Sequence, residues 1–322
     1  MCNKPLLTIA VPTFNRSSCL ARLLDSIIQQ ENYCRNEVEV IICDNASTDE
    51  TSTTVMNKLD KIQNSTYHIN EVNLGMDGNF QKCFELSRGK YFWMIGDDDL
   101  IVEDGLSKVL ATLKLRPSLD MLYVNSVSES EVKSTEDIRT SLYSNDVDFI
   151  SDVRIMFTFI SGMICKKNDM LANDVATYSS YTSGKYLMHL TWQLSMLKQG
   201  HDFAVINNKI IKAESDNSGG YHLYKVFSYN LATIIDVFYP RKHVVSKKIR
   251  ASACLFLLNF IGDKTKTKNF ATNDYLKDCD SAFMDLNMYK YGLRFFYNYP
   301  NMMPLFRKVK AIIKNILKLK SR

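Results

Sequence analysis

A chain of 322 residues, 46% hydrophobic and 23% charged, has the composition of an ordinary globular protein, with room for one large α/β domain plus an appended piece, or for two domains. Its net charge of +5 is concentrated at the end: residues 302–322 carry seven Lys and Arg and no acid, leaving −2 on the rest, which argues against a nucleic-acid binder with a basic folded face. Eight scattered cysteines with no C-x-x-C pair exclude a zinc ribbon or disulfide framework, and the longest apolar run, Ala251 to Ile261, is too short to span a bilayer. The N-terminus lacks a signal-peptide pattern, so the expectation is a cytoplasmic protein.

The first 125 residues alternate strand and helix. LLTIAV reads as a strand, followed by the loop PTFNRSS and a helix with Leu20, Leu23, Leu24, Ile27 and Ile28 at helical spacing. VEVIIC is a second strand ending at Asp44, and NASTDET opens a helix with Ser47 or Thr48 as N-cap. TYHI is a third, short strand. The loop NLGMDGN leads into the helix NFQKCFELSRG, with Gly89 placed as its C-cap. YFWMI is a fourth strand, Glu103 to Leu115 a helix, and MLYVNSV a fifth strand. This alternation predicts an α/β fold, a mainly parallel sheet covered by helices on both faces.

From Ser126 to Asp148 the polar run reads as a surface excursion. FTFISGMICKK is expected as a strand crossing the site region, TSGKYLMHLTWQLSMLKQG as one helix, and DFAVINN as a short strand. Beyond Lys225 the chain reads as helical and aromatic-rich. The expected domains are therefore residues 1–225, carrying the site, and a helical region 226–322.

Asp97, Asp98 and Asp99 close the apolar run YFWMI. In open α/β sheets ligands sit beyond the carboxyl ends of the strands, so the three carboxylates arrive where a ligand would be. Like charges so crowded require a cation or a basic group, and carboxylate oxygens suit Mg²⁺ or Mn²⁺ holding a phosphate compound. A solvated acidic turn that caps the next helix is the alternative.

Four segments, TIAVPTFNR, IICDNASTDET, NLGMDGNF and RGKYFWMIGDDD, together resemble the family 2 glycosyltransferases with the nucleotide-sugar-binding GT-A fold, in family order and spacing. The resemblance covers roughly residues 6–125 and thins towards 225. It implies that Pro12, Thr13 and Phe14 line a nucleotide pocket, with Asn15 and Arg16 near base and phosphates. Asp44 would contact the nucleobase, or merely cap a helix, with Asn45 beside it in the donor loop. Gly75 and Gly78 would let the backbone approach the nucleotide, and Asn79 would reach ribose or phosphate.

The usual Asp-x-Asp-Asp pattern has Gly96 in its first place here. Asp98 is then the implied principal metal ligand, and Asp97 and Asp99 contact ribose, metal or sugar; the assignment among the three stays open. The family's catalytic base is an acid early on a later helix, but GKYLMHLTWQL contains none. His189 is the candidate base, with a structural core role as its alternative, and Asp169 is a second candidate. Ile160, Ser161 and Gly162 would border the acceptor, while Asn217 or His222 in SDNSGGYH would contact the diphosphate as that loop closes over it.

TWQLSMLKQG with SDNSGGY looks most like the bacterial O-antigen subgroup that includes abequosyltransferases. The implied activity is inverting, Mn²⁺- or Mg²⁺-dependent transfer from a nucleotide-sugar donor to a glycan acceptor. That acceptor is expected to be undecaprenyl-linked, in lipopolysaccharide or capsule synthesis. A dehydrogenase is disfavoured because no G-x-G-x-x-G follows the first strand, and a sugar nucleotidyltransferase because no Gly-rich basic phosphate loop occurs. A catalytically inactive nucleotide-sugar-binding module remains as the rival of another class. In the tail, apolar positions 302, 305, 306, 309, 312, 313, 316 and 319 form a stripe opposite Arg307, Lys310, Lys314 and Lys318. Such a helix either lies peripherally on an anionic membrane surface or packs on the body.

Overall fold

The computed structural model describes residues 4–30, 37–127, 137–213, 221–261 and 275–304. The chain divides into two compact units, Met1–Ser218 and Gly219–Arg322.

The first unit is built on a nine-stranded mixed sheet. Its chain order is β1 (Leu7–Thr13), α1 (Ser17–Ile28), β2 (Val38–Asp44), α2 (Thr51–Leu59), β3 (Ser65–Ile69), α3 (Gly75–Leu86) and β4 (Tyr91–Met94). There follow β5 (Leu100–Ile101), α4 (Gly105–Leu115), β6 (Met121–Val127), β7 (Thr140–Tyr143), α5 (Asp146–Val153), β8 (Met163–Lys166), α6 (Asp169–Thr182), α7 (Leu190–Gln199) and β9 (Phe203–Lys212). Strand order is β3-β2-β1-β4-β8-β6-β9-β5, with β7 paired to β9. The run β3-β2-β1-β4 is parallel, in a register that sets Thr13 beside Asp44 at the shared carboxyl edge. The antiparallel pairings involve β8, β5 and β7. The expected α/β architecture with helices on both faces is present.

Alternation along the strands sorts two apolar layers. Ile9, Ile42 and Trp93 point to one face, where Leu20, Leu23 and Leu24 of α1, Val55 of α2 and Val109 and Leu113 of α4 cover them. Phe92 points to the other face and meets Phe84 of α3 edge-on, 5.3 Å between centroids; Phe84 in turn stacks on Trp192 of α7 at 5.3 Å. Each such fully buried side chain contributes about 1.5–3 kcal/mol over leaving it in water.

Several local expectations change. α2 begins at Thr51 with Glu50, not Ser47 or Thr48, in the N-cap position; Asp49, just before it, ties the start, its Oδ1 accepting from the Thr51 amide at 3.0 Å. Gly89 is no helix cap: its N–H donates to Thr8 Oγ1 (2.8 Å), and a Cβ there would stand 2.5 Å from the Thr8 amide nitrogen. FTFISGMICKK is only partly strand, because two 3-10 turns, Arg154–Thr158 and Ile160–Gly162, precede β8. The long helix expected from Thr182 starts at Leu190, and residues 183–189 form a turn. DFAVINN extends to Lys212, since its continuation KIIK pairs with β5 and β6. The excursion after Ser126 contains β7 and α5.

All described elements of the second unit are helical: Leu223–Lys225, a π-turn Val226–Asn230, Leu231–Phe238, Val244–Leu258, Tyr275–Phe283, a second π-turn Tyr289–Leu293, Arg294–Asn298 and a 3-10 turn Pro300–Met302. Arg250, fully buried, fastens them, forking onto both oxygens of Asp285 (2.5 and 2.9 Å) and the carbonyls of Ala282 and Arg241. A guanidinium can be buried this way because every edge finds an acceptor. Among the described residues no helix is long and apolar enough to cross a membrane. Most of the basic tail, residues 305–322, lies outside the described residues.

Candidate active site at the strand ends

The chain leaves β4 through Ile95, whose amide bonds the Ala10 carbonyl, and turns at Gly96. Ser161 clamps this turn: its Oγ accepts from the Gly96 amide (2.9 Å) and donates to Asp99 Oδ2 (2.5 Å), while its carbonyl accepts from Trp93 Nε1 (2.9 Å). A Cβ on residue 96 would lie 3.0 Å from Asp98 Oδ1 and 3.4 Å from Asp99 Oδ2, so any side chain there would press on both carboxylates. Asp99 is buried in this clamp and does not line the cleft.

Asp97 and Asp98 turn the other way. Thr13 Oγ1 donates to Asp97 Oδ2 (2.8 Å). Arg16 bridges the pair, Nη1 to Asp97 Oδ1 at 2.8 Å and Nη2 to Asp98 Oδ2 at 2.9 Å. Burial pushes the Asp97 carboxyl up to about 6, against the pull of Arg16 and Thr13. The basic group that the charge crowding demanded is therefore present in the chain.

Beside them lies a cleft of about 320 Å³, the lower end of the range for small-molecule sites. Of the residues the sequence singled out, Pro12, Thr13, Phe14, Arg16, Asn45, Gly75, Asn79, Asp97 and Asp98 line it together. Ile160, expected to border the acceptor, lines it too, and so do Asn73, Met76 and Phe80, which were missed. Asn73 and Met76 stand inside the quoted NLGMDGN loop, and Phe80 lies one turn beyond Met76, so helical spacing from that loop was the available signal.

The remaining expected donor residues build the walls. Asn15, at φ +51°, accepts from the Thr48 amide (2.7 Å) and donates its own amide to Ser47 Oγ (2.9 Å). Asp49 Oδ2 accepts from the Ser17 amide, so one carboxylate serves the N-termini of both α1 and α2. Asp44 is 1% exposed, and both oxygens are engaged, by the Ser47 amide (2.8 Å) and Tyr67 Oη (2.6 Å). It stands behind the cleft lining. Asn45 is the hub of the opposite loop: its Oδ1 accepts from the Leu74 amide and Asn70 Nδ2, and its Nδ2 donates to Asn73 Oδ1. Asn79 Nδ2 donates to the Cys43 carbonyl (2.9 Å).

His189 is 3% exposed in the turn before α7, not on the helix. Its Nε2 lies 2.9 Å from the Thr158 carbonyl, and Nδ1 has no partner among the described residues. Burial pushes its pKa down to about 4, so the ring is neutral. Phe80, which lines the cleft, meets it edge-on at 6.1 Å; His189 itself does not line it. The turn is held by Asp77 of α3, whose carboxylate accepts from the amides of Lys185, Tyr186 and Met188. Ser161 serves the aspartate turn, and Gly162 packs where a Cβ would meet Tyr123 at 2.7 Å. His222 belongs to the second unit, before Leu223, whereas Asn217 and the Asp169 side chain lie outside the described residues.

A divalent cation is a fair test of this donor set. Among the described residues no three His, Cys, Asp or Glu side chains converge, so the protein offers one or two carboxylates, Asp98 foremost. That is the usual provision for Mg²⁺, completed by phosphate oxygens and water. The residues fit.

Residues 8–168 match the family model described as Glycosyl transferase family 2. The chain belongs to that family. This family 2 chain is 28% identical over 183 residues, 50% of its length and 53% of the relative's, to the abequosyltransferase RfbV of Salmonella typhimurium. It is 29% identical over 107 residues, 33% of its length and 34% of the relative's, to the GalNAc(5)-diNAcBac-PP-undecaprenol beta-1,3-glucosyltransferase of Campylobacter jejuni. The match thus spans about half of the first relative and less of the second. Among solved structures, TarS 1–349 of S. aureus in complex with UDP-GlcNAc superposes with a TM-score of 0.63 at 16% identity, over 94% of this chain and 91% of that one. The mannosyltransferase PcManGT of Pyrobaculum calidifontis, in complex with GDP-Man and Mn²⁺, gives 0.50 at 15% identity, over 97% and 87%. These likenesses establish the GT-A fold.

Proposed function

We propose that the chain is an inverting, metal-dependent glycosyltransferase that moves a sugar from a nucleoside-diphosphate donor to a lipid-linked glycan in bacterial surface-polysaccharide synthesis. The observation that carries the reading is the cleft at the carboxyl ends of β1, β2 and β4, where Arg16, Asp97 and Asp98 stand together. The names of the abequosyltransferase and undecaprenol-linked relatives favour an acceptor of that class. The complexes of TarS with UDP-GlcNAc and PcManGT with GDP-Man and Mn²⁺ favour the donor class and the cation.

In this reading Pro12, Phe14, Asn45, Asn73 and Gly75 form the nucleotide end of the cleft. Asp98 and, beside it, Asp97 hold the cation, which supplies Lewis-acid stabilisation of the departing diphosphate. Arg16, at 32% side-chain exposure on the cleft wall, offsets the carboxylates before the donor enters and is placed to meet its phosphates. Thr13 and Ser161 keep the aspartate turn rigid. Preorganisation of this kind is most of what the protein must supply to a displacement between two bound sugars.

Two measurements test it. In a thermal-shift panel of UDP, GDP, CDP and dTDP with and without Mn²⁺, one nucleotide at about 100 times its Kd should add about 2.7 kcal/mol of stability, and more with the cation. Asp98→Asn should lower transfer at least ~10²-fold, with folding intact. Full transfer in excess chelator would refute the metal reading. A binding module without turnover is the second reading, favoured by the withdrawal of His189 behind Phe80, and release of nucleoside diphosphate by the purified protein with an acceptor excludes it.

A further inference from the structure

The second unit presents two apolar faces where an ordinary surface segment has one. Between Met284 and Met303 the inward set, Leu286, Tyr289, Tyr297 and Met303, is at most 6% exposed. The outward set is Met284, Met288, Tyr291, Phe295, Tyr299 and Met302, exposed by 37–76% and spaced three or four residues apart. Tyr291, Phe295 and Tyr299 follow at intervals of four, half a turn away from Tyr289 and Tyr297, and the Phe295 and Tyr299 rings lie 5.0 Å apart. A segment apolar on both sides needs cover on both.

Charge says what kind of cover. The stripe carries Lys290; Arg294 forks onto both oxygens of Asp280, and the one acid of the stripe, Asp285, is taken up by Arg250 and Arg241, so these pairs cancel and the balance left is positive. In the sequence the same apolar spacing runs on through 305, 309, 312, 316 and 319, with seven basic residues and no acid over 302–322. A second copy on this face would set the patch against itself, since a two-fold interface is self-complementary, and would oppose two such basic segments. An anionic lipid surface satisfies both the rings and the charges: tyrosines and phenylalanines sit at headgroup level, and cations meet the phosphates.

We infer that the Met284–Met302 stripe is a membrane-seating face, which lays its aromatic side chains into the interface and is continued in the sequence by the basic tail. The inference rests on the reading of a lipid-linked acceptor, but its test needs neither donor nor acceptor, so its failure leaves glycosyl transfer untouched. The probe is a vesicle of phosphatidylcholine with about one-third phosphatidylglycerol, and the protein is the full chain. Tyr291→Trp gives a local reporter, since both native tryptophans are buried, at 0% and 2% exposure. Its emission should shift to the blue on adding vesicles. The triple change Tyr291→Ser, Phe295→Ser, Tyr299→Ser should weaken vesicle binding about tenfold or more at ~0.5 M salt, where the tail's electrostatic share is screened. Replacing the same three with Leu should retain binding, and circular dichroism of each variant checks the fold. An unshifted emission from the Tyr291→Trp reporter, together with equal binding by the Ser triple, would overturn the inference. A native dimer that the Ser triple converts to monomer would do so too, by assigning the face to a second copy.

Discussion

Two buried titratable side chains flank the cleft and pull stability in opposite directions with pH. His189 is held neutral, its pKa down at about 4 from the ordinary 6.5, so the unfolded chain binds the extra proton first. Its contribution is present above pH 6.5 and is lost as pH falls towards 4, about 3 kcal/mol in all. Asp97, raised from 3.8 to about 6, has the reverse sign: it favours folding below pH 3.8 and that advantage disappears as pH rises through 6. In the wild type the two nearly cancel between pH 4 and 6. Asp97→Asn should therefore be more stable than wild type at pH 7.5, by ~1–3 kcal/mol, and lose stability more steeply below pH 6; denaturant titrations across that range measure it. His189→Ala should cost ~2–4 kcal/mol through the cavity, whereas His189→Gln should keep transfer within about tenfold. A ~10²–10⁴-fold loss in a folded Gln variant would return the base role to His189. The sequence presented this residue as a lone histidine among Leu187, Leu190 and Trp192, a pattern that burial satisfies as well as catalysis does. What sequence could not supply was the depth, one ring behind the cleft.

At the scale of elements, local pattern was legible wherever one segment decides its own state. The parallel strands, α1 and α4 follow from local pattern, whereas α3 starts at Gly75, inside the expected NLGMDGN loop, and ends at Leu86. The errors fall where a distant partner decides: Gly89 closes no helix but lets α3's exit press on β1, and the Thr8 hydroxyl that receives it also donates to the buried Glu39 at 2.6 Å. Gly89→Ala must move backbone rather than a flexible side-chain tip, and should lower stability by about 2–3 kcal/mol in a urea melt without changing nucleotide selectivity. The helix over 182–200 was cut at 189 for the same kind of reason, because three amides of the turn bond Asp77, 108 to 111 residues away in sequence. Asp44 likewise carries the family's donor-loop position but spends both oxygens on Ser47 and Tyr67. Asp44→Ala is expected to lower stability by about 2–3 kcal/mol, since two bonds to a charged acceptor are lost. Unchanged stability with a ~1–3 kcal/mol loss of nucleotide affinity would instead seat it against the base.

For the molecule as a whole, charge is divided unevenly, and the tail reading belongs to this scale. Deleting residues 305–322 should abolish the salt-sensitive part of binding to anionic vesicles while sparing transfer to a short water-soluble acceptor; co-sedimentation at ~0.1 M salt distinguishes it from an unchanged, body-packed helix. Most of the cleft lining was readable because strand-end loops carry it in order, while the turn around Ser161 and the segment before α7 were less so, since 3-10 turns and long-range ties shape them. The shared Asp49 tie bears on how the donor is admitted. Because one carboxylate pins the starts of two helices, and Asn15 and Ser47 stitch their loops, that wall moves as a single block or not at all. On the proposed reading a nucleotide meets a surface that is finished before it arrives, and loses little of its binding free energy to ordering it. Discrimination among bases on that side is a matter of fit, rather than of closure. The opposite wall is tied in the same way, with Asn73 Oδ1 accepting from the Gly75 amide at the start of α3 (2.8 Å) and Ser161 clamping the 3-10 turn that carries Ile160, so the cleft is preformed on both sides.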